Sequence, residues 1–248
     1  MPEYPFADKV RFFVFIVESP SAADLYHKRS ESDLLRKVLE LEGIPSVARV
    51  AISRQALYAA LTVGIAEEMK TVEDRIPIIH ISAHGNANGI QLSTGEVVEW
   101  DELRRLLLPI NKALRSMLLV AMSCCEGFSG IRMAMSENPT EEYPFVALIG
   151  TRSSPTWSDT SVAYSTFYHL IAKGAYLADA VVAMRAASGD DSFFVDMSTE
   201  IRKGYIEYIQ GLNAREVQQE IASGSQEAER AEPETMAKAA GLESGSQR

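Results

Sequence analysis

Two residues capable of covalent chemistry each follow a short apolar run. His84 and Gly85 end the run IPIIHISAHG at 76–85, and Cys125 ends MLLVAMSCC at 117–125. A cysteine thiolate is a nucleophile, and a histidine imidazole can accept the thiol proton and return it later in the reaction. The sequence therefore predicts a His–Cys dyad, with His84 as the base and Cys125 as the nucleophile.

Glycines beside these two residues suit the same chemistry. Attack on a carbonyl group creates an oxyanion, and removing one N–H donor to that oxyanion typically slows a reaction roughly 10²- to 10³-fold. We expect the amides of Gly85 and Cys125 to be the donors, because glycine allows close approach of the backbone to a substrate. We also expect Gly127 to permit the sharp turn that exposes the Cys125 sulfur.

Cys124 and His80 are expected to have supporting roles. Side chains alternate along a strand, so Cys124 should point into the core on the side opposite Cys125. His80 lies four residues before His84, and we expect a buried imidazole that is hydrogen-bonded. The two adjacent cysteines are too close for an ordinary disulfide, which favours a reducing, cytoplasmic compartment.

Strand-like and helix-like segments alternate from residue 10 to about 190, and they would position these side chains. The predicted strands are 10–19, 46–53, 76–85, 117–123 and 145–151; the predicted helices are 30–43, 54–70, 101–116, 158–174 and 176–189. Strands that are apolar throughout and separated by helices predict an α/β fold, with a mostly parallel central sheet and helices on both faces. The carboxyl ends of parallel strands meet at one edge, where ligands bind.

Three local features complete this prediction. A hairpin is expected at 89–100 around Thr94 and Gly95, and Pro109 is expected to break or kink its helix. The stretch 18–32 is interpreted as a long polar loop after the first strand.

Composition limits the classes of function. Apolar residues make up 46 % of the 248 residues, and the net charge is −10, which argues against direct binding to nucleic acid or an anionic membrane. The acidic, proline-containing N-terminus is unlike a secretory signal. Residues 1–212 are predicted to form one domain. Residues 213–248 lack aromatic residues and are predicted to form an acidic tail, either disordered or a frayed helix. No zinc site of the usual spacing is expected, and no cofactor.

The two reactive motifs resemble those of the CHAT domain, a bacterial member of the caspase-like peptidases of clan CD. Such domains carry His-x-x-x-His-Gly, as in HISAHG at 80–85, and Ser-Ala-Cys-Glu, as in SCCE at 123–126, where Cys124 takes the place of alanine. Caspases also place a glycine two residues after the nucleophile, as Gly127 stands here. The match spans roughly 76–190 and implies a caspase-like three-layer sandwich with His84 and Cys125 in catalysis.

The resemblance also implies a function. It indicates a cysteine endopeptidase that cuts a protein or peptide substrate after a chosen residue, in bacterial defence or regulated proteolysis. CHAT domains are often attached to repeat or sensor domains, and none is recognisable in this sequence. We therefore expect activation by a partner chain, a sensor or self-association.

Three residues are candidates for substrate binding. Some relatives with basic specificity place an acid in the tryptophan-containing loop, so the resemblance implies that Asp159 would select Lys or Arg. The alternative is that Asp159 is a helix N-cap, in competition with Ser158. Arg152 is the rival and would select an acidic side chain. Trp157 could form a wall of the pocket or lie in the core. A basic residue before the cleaved bond is the favoured prediction.

Two other functions fit the same sequence. A catalytically silent caspase-like interaction module would keep the fold without the chemistry, but it would have no chemical need for His84 and Cys125. Another α/β thiol enzyme, such as an amidohydrolase or acyltransferase, would usually place its cysteine before its histidine, and the order here is the reverse.

Overall fold

A sheet of six main strands forms the centre of this α/β protein in a computed structural model, which describes residues 11–72 and 74–215. The strands of the whole sheet are β1 (Phe12–Ser19), β2 (Ser46–Val50), β3 (Ile76–Asn86), β4 (Gly89–Gln91), β5 (Val97–Glu99), β6 (Leu119–Ser123), β7 (Ala147–Thr151) and β8 (Phe193–Met197). The helices that lie between β1 and β8 in the chain are α1 (Ala22–Tyr26), α2 (Glu31–Leu41), α3 (Arg54–Ala59), α4 (Ile65–Thr71), α5 (Trp100–Ala113), α6 (Trp157–Ala172) and α7 (Leu177–Ser188). A π-helical turn, Ala60–Gly64, joins α3 to α4, and a 3₁₀ segment, Gly127–Ala134, follows β6.

The main strands follow the order β2-β1-β3-β6-β7-β8. All neighbouring pairs in this path are parallel except β7 and β8, which are antiparallel. The β4–β5 hairpin extends from the end of β3, with His84 opposite Gln91. The hairpin prediction and the prediction of a mostly parallel sheet are therefore confirmed.

Alternate residues of each buried strand point to opposite sides of the sheet, and the residues on both sides are apolar. Helices therefore cover both faces. Phe13, Phe15 and Ile79 face one apolar core, to which α3, α4 and α5 contribute. Val14, Ile16 and Ile78 face the other core, to which α2, α6 and α7 contribute. The predicted α/β layering, with helices on both faces, is present.

Several predicted elements differ from the structure. Helix α5 continues through Pro109 to Ala113, so the predicted break is wrong; the buried Leu106, Leu107 and Ile110 keep this face of the helix against the core. The stretch 18–32 is not one loop, because it contains α1 and the start of α2. Strand β8 was not predicted, since only Phe193 among its residues is fully buried and the apolar pattern is correspondingly weak.

The chain divides into two compact units, Met1–Arg202 and Lys203–Arg248. Residues 198–202 of the first and 203–215 of the second are helical. The domain boundary at 212 stays a prediction, and the predicted tail from 216 onward lies outside the described residues. None of the helices in the described ranges combines the length and apolar character that a membrane span requires.

Candidate active site

His84 and Cys125 each come two residues after one member of a facing pair on neighbouring strands. Strands β3 and β6 are parallel, and Ser82 lies opposite Ser123. His84 is two residues after Ser82 and still belongs to β3, while Cys125 is two residues after Ser123 in the turn that follows β6. The register therefore brings the two motifs to the same edge of the sheet.

The backbones of the two motifs are in direct contact at Gly85. A Cβ atom added to Gly85 would lie 2.8 Å from the carbonyl oxygen of Cys125 and 3.0 Å from the Sγ atom of Cys124. These distances are well inside van der Waals contact, so only glycine fits here. The close approach at Gly85 is to the turn that carries the cysteine, and the approach to a substrate stays a prediction.

The Cys125 turn is held tightly on its other side as well. Glu126 adopts a left-handed conformation with φ of 52°, and its amide donates a hydrogen bond of 2.8 Å to the carbonyl of Ser153, just after β7. The Gly127 amide donates to the carbonyl of Cys124 at 3.0 Å. The Cys125 amide donates none of the backbone hydrogen bonds that hold the turns of the described part of the chain. An amide that is to donate to a substrate oxyanion must be unoccupied in this way.

Gly127 has a different role from the one predicted. The left-handed residue of the turn is Glu126, and Gly127 itself has no positive φ. Glycine is required because a Cβ atom at Gly127 would lie 2.8 Å from the carbonyl oxygen of Met122 and 2.9 Å from the Sγ atom of Cys124. Close contact, and not an unusual backbone angle, therefore explains this glycine.

The side chains of the pair are both accessible to solvent. His84 is exposed, and Cys125 is partly buried. No hydrogen bond within the described residues joins the His84 imidazole to the Cys125 thiol. Catalytic hydrogen bonds are often long without substrate and shorten when it binds, so this geometry is compatible with a dyad.

Cys124 has the structural role that the sequence predicts. Its side chain is buried in the core on the α3–α5 side of the sheet. Burial, and to a smaller extent the nearby Cys125 and Glu31, raise the pKa of the Cys124 thiol far above its usual range. Of the two cysteines, Cys125 is therefore the one available as a nucleophile.

Arg152 lies at the same edge as the Cys125 turn. It directly follows β7, and its guanidinium stacks on the rings of Phe128 and Phe194, at 5.0 Å and 4.2 Å from their centroids. Phe128 is only three residues from Cys125. The stacking leaves Arg152 exposed, so its charge can meet a ligand.

Asp159 and Trp157 lie in the first turn of α6. The N-cap of α6 is Thr156, and not Asp159 or Ser158. The interpretation of Asp159 as the N-cap is therefore wrong, because Asp159 lies three residues further along the helix. Asp159 instead closes a capping box, in which its Oδ2 atom accepts hydrogen bonds from the Thr156 amide and hydroxyl at 3.0 Å and 2.7 Å. Trp157 is half-buried and lines a groove between the starts of α2 and α6. Roles in specificity for these residues stay predictions.

A buried polar cluster lies beneath the reactive edge, on the α2 and α6 side of the sheet. We define it as Glu31, His80, Ser82, Ser123 and Tyr168. The Ser123 hydroxyl donates to Glu31 Oε1 at 2.9 Å, and the His80 Nδ1 atom is hydrogen-bonded to the Tyr168 hydroxyl at 3.0 Å. His80 Nε2 lies 3.7 Å from Glu31 Oε2. The predicted burial of His80 and its hydrogen bond through Nδ1 are confirmed, whereas Nε2 has no hydrogen-bond partner in the described part of the chain, so the imidazole is not fully satisfied.

Sequence reasoning did not find Glu31 as a candidate. Its side chain is 0 % exposed, although it stands at the first position of a helix where acids usually face solvent. The only signal in the sequence was the position of Ser82 and Ser123, two polar residues that end buried strands. Those serines mark a polar region under the sheet edge but do not say which residue of another element faces them.

Comparisons with known proteins leave the family open. No family model matches the chain, and no curated protein has significant similarity to it. Among residues 11–72 and 74–215, no three His, Cys, Asp or Glu side chains form a group that could hold a metal ion. The site is therefore interpreted from its own residues.

Proposed function

We propose that this protein is a cysteine endopeptidase of the caspase-like, CHAT type, with His84 and Cys125 as its catalytic dyad. The observation that carries the proposal is the contact of Gly85 with the Cys125 turn, where a Cβ atom would lie 2.8 Å from the Cys125 oxygen. This contact holds the His-Gly motif beside the cysteine, although the two lie about 40 residues apart in the chain. Two motifs that are packed backbone to backbone, at the edge where α/β proteins bind ligands, support a shared chemical role.

The proposed reaction is hydrolysis of a peptide bond. The Cys125 sulfur bonds to the carbonyl carbon while His84 takes the thiol proton, and the amides of Gly85 and Cys125 stabilise the oxyanion. His84 then gives the proton to the departing amine. A water molecule, activated by His84, releases the acid product and restores the thiol.

The fold supports this assignment because it constrains the nucleophile. The Cys125 turn is fixed by the Glu126–Ser153 hydrogen bond and by the tight packing of Gly127. Such preorganisation places a reacting atom without a cost at the moment of reaction. We further propose a cytoplasmic location, a protein or peptide substrate cut after a basic residue, and activation by a partner chain or sensor.

A profile of cleavage sites across a peptide library tests the function. The wild-type protein should cut, Cys125→Ala should not, and Cys124→Ala is the matched control that removes a neighbouring thiol but leaves the nucleophile. Cleavage by Cys125→Ala at the wild-type rate would reject the proposal.

A second candidate is the catalytically silent interaction module. The observation in its favour is that no hydrogen bond joins His84 to Cys125 within the described residues. An irreversible thiol alkylator separates the two candidates. A module would have a Cys125 that reacts at the rate of an ordinary thiol, whether or not His84 is present.

A further inference from the structure

We propose that Asp190 is a positioning residue for Cys125, because it fixes the loop after β7 to which the turn of the nucleophile is tied. This inference rests on the proposed peptidase function and names the residue that keeps the nucleophile beside His84. Asp190 lies in the turn between α7 and β8. It makes no hydrogen bond to His84 or Cys125 within the described residues, so it acts on the dyad only through other residues.

The end of strand β7 is joined to the Cys125 turn at two points. The Glu126 amide donates to the carbonyl of Ser153, two residues beyond the strand, at 2.8 Å. At Gly150, within the strand, an added Cβ atom would lie 2.8 Å from the carbonyl carbon of Gly127. Segments that are packed this closely transmit a shift from one to the next. The position of Cys125 therefore depends on where the end of β7 is held.

Asp190 holds the end of β7 through both oxygens of its carboxylate. Its Oδ2 atom accepts from the Ser153 hydroxyl at 2.8 Å. Its Oδ1 atom accepts from the Ser192 amide at 2.8 Å and from the Ser192 hydroxyl. The hydroxyl oxygens of Thr151, Ser153 and Ser192 also lie 2.6–2.9 Å from one another. One carboxylate thereby ties the loop after β7 to the residue that precedes β8.

The donors and acceptors of this network are matched when Asp190 is ionised. The two serine hydroxyls donate to the two carboxylate oxygens, and the Thr151 hydroxyl donates to Ser192 while it accepts from the Ser153 amide at 3.1 Å. Burial opposes ionisation of Asp190, but the hydrogen bonds from Ser192 and Ser153 outweigh it and lower the pKa of the carboxyl group. Asp190 therefore accepts hydrogen bonds from both serines at neutral pH.

Asp190 is itself anchored by the end of helix α7. Gly189 ends the helix in the left-handed conformation, with φ of 72°, and its amide donates to the Arg185 carbonyl at 2.9 Å. The Asp190 amide donates to the Ser188 hydroxyl at 3.3 Å, and that hydroxyl donates to the Met184 carbonyl at 2.7 Å. The carboxylate therefore starts from a fixed helix end and holds the loop after β7 in one place.

The acceleration of Cys125 alkylation by His84 measures this positioning. We define it as the iodoacetamide rate of a protein near neutral pH, divided by the rate of the same protein with His84→Ala, so that each variant is its own reference. A misplacement of about 1 Å can cost roughly 10²-fold, so Asp190→Ala should reduce the acceleration roughly 10-fold or more. Asp190→Asn should keep most of it, because the amide oxygen accepts from Ser192 and the amide nitrogen donates to the Ser153 hydroxyl.

Two control variants separate positioning from a general loss of stability. Asp191→Ala removes the neighbouring carboxylate, which is exposed and forms no hydrogen bond within the described ranges, and it should keep the acceleration. Ser198→Ala removes a buried hydroxyl that donates to the Phe145 carbonyl at 2.6 Å, at the opposite end of β7 and β8. It should lower the melting temperature by roughly 2–4 °C and also keep the acceleration.

Hydrogen exchange at the Glu126 amide tests the same link without using the dyad. Its hydrogen bond to the Ser153 carbonyl slows exchange, so this amide should exchange roughly 10-fold faster or more in Asp190→Ala and near the wild-type rate in Asp190→Asn. If Asp190→Ala does not fold, Ser153→Ala takes its place. That variant removes the hydroxyl that Asp190 holds and keeps the carbonyl that Glu126 uses.

The outcomes distinguish failure of this inference from failure of the peptidase proposal. An acceleration that survives in Asp190→Ala, or in Ser153→Ala, would overturn the inference and keep the peptidase. An equal loss in Ser198→Ala would do the same, because the effect would then come from stability alone. A wild-type Cys125 whose rate does not depend on His84 would reject the peptidase proposal, and the positioning role with it.

Discussion

Replacing Gly85 with alanine perturbs the contact on which the site is built. The new Cβ atom would lie 2.8 Å from the Cys125 oxygen, whereas ordinary contact begins at 3.4 Å, so the Cys125 turn or β3 must move by about 0.6 Å. A misplacement of about 1 Å can slow an enzyme roughly 10²-fold, and we therefore expect Cys125 to lose roughly 10-fold or more of its reaction rate. Overpacking of this kind costs about 1–3 kcal/mol in the free energy of unfolding.

Two assays measure these effects. Mass spectrometry of the peptide containing Cys125 gives its rate of alkylation, and circular dichroism gives the melting temperature, which should fall by roughly 2–12 °C. Gly204→Ala is the matched control, because nothing lies within 4 Å of its added Cβ atom and residue 204 is helical with an ordinary φ. If Gly85→Ala reacted and melted like the wild type, the close contact between the two motifs would not exist as described.

Three other predictions concern Cys124 and Asp159. Iodoacetamide should label Cys125 but not Cys124 in the folded protein, and both cysteines in denaturant, because Cys124 is buried; rapid labelling of native Cys124 would contradict its position. Burial raises the pKa of Cys124, so its stabilising contribution is complete below the pH at which an unfolded cysteine ionises, about 8.5, and is lost as the pH rises further. The free energy of unfolding, measured in urea, should therefore fall more steeply above that pH in the wild type than in Cys124→Ala, and parallel curves would contradict this. Asp159→Ala should lower the free energy of unfolding by about 1 kcal/mol through loss of the capping box, and an unchanged free energy of unfolding would contradict that role.

The elements that carry the dyad could be predicted because their signals are local. Strands β3 and β6 are continuous apolar runs, and the helices between the strands have clear start and stop residues, which together imply parallel strands and a shared edge. Parallel pairing then brings His84 near Cys125 without further information. Cys124 could be placed in the core from the alternation of side chains along a strand.

The inward position of the buried acid Glu31 could not be predicted, because it depends on tertiary packing. Ser30 and Glu31 are an ordinary helix start in the sequence, and nothing local says that Glu31 faces inward. Its inward direction follows from contacts with Ser123, 92 residues away, and from Glu18, which fixes the start of α2. The edge strand β8 could not be predicted for a related reason, since only Phe193 among its residues is fully buried and its apolar pattern is weak.

The rate of Cys125 alkylation as a function of pH, in the wild type and in His84→Ala, tests the central claim most directly. The account predicts that wild-type Cys125 reacts with iodoacetamide faster than a free cysteine near neutral pH, and that His84→Ala returns it to the behaviour of a free thiol. Identical profiles for the two proteins would mean that His84 does not act on Cys125, and they would contradict the dyad.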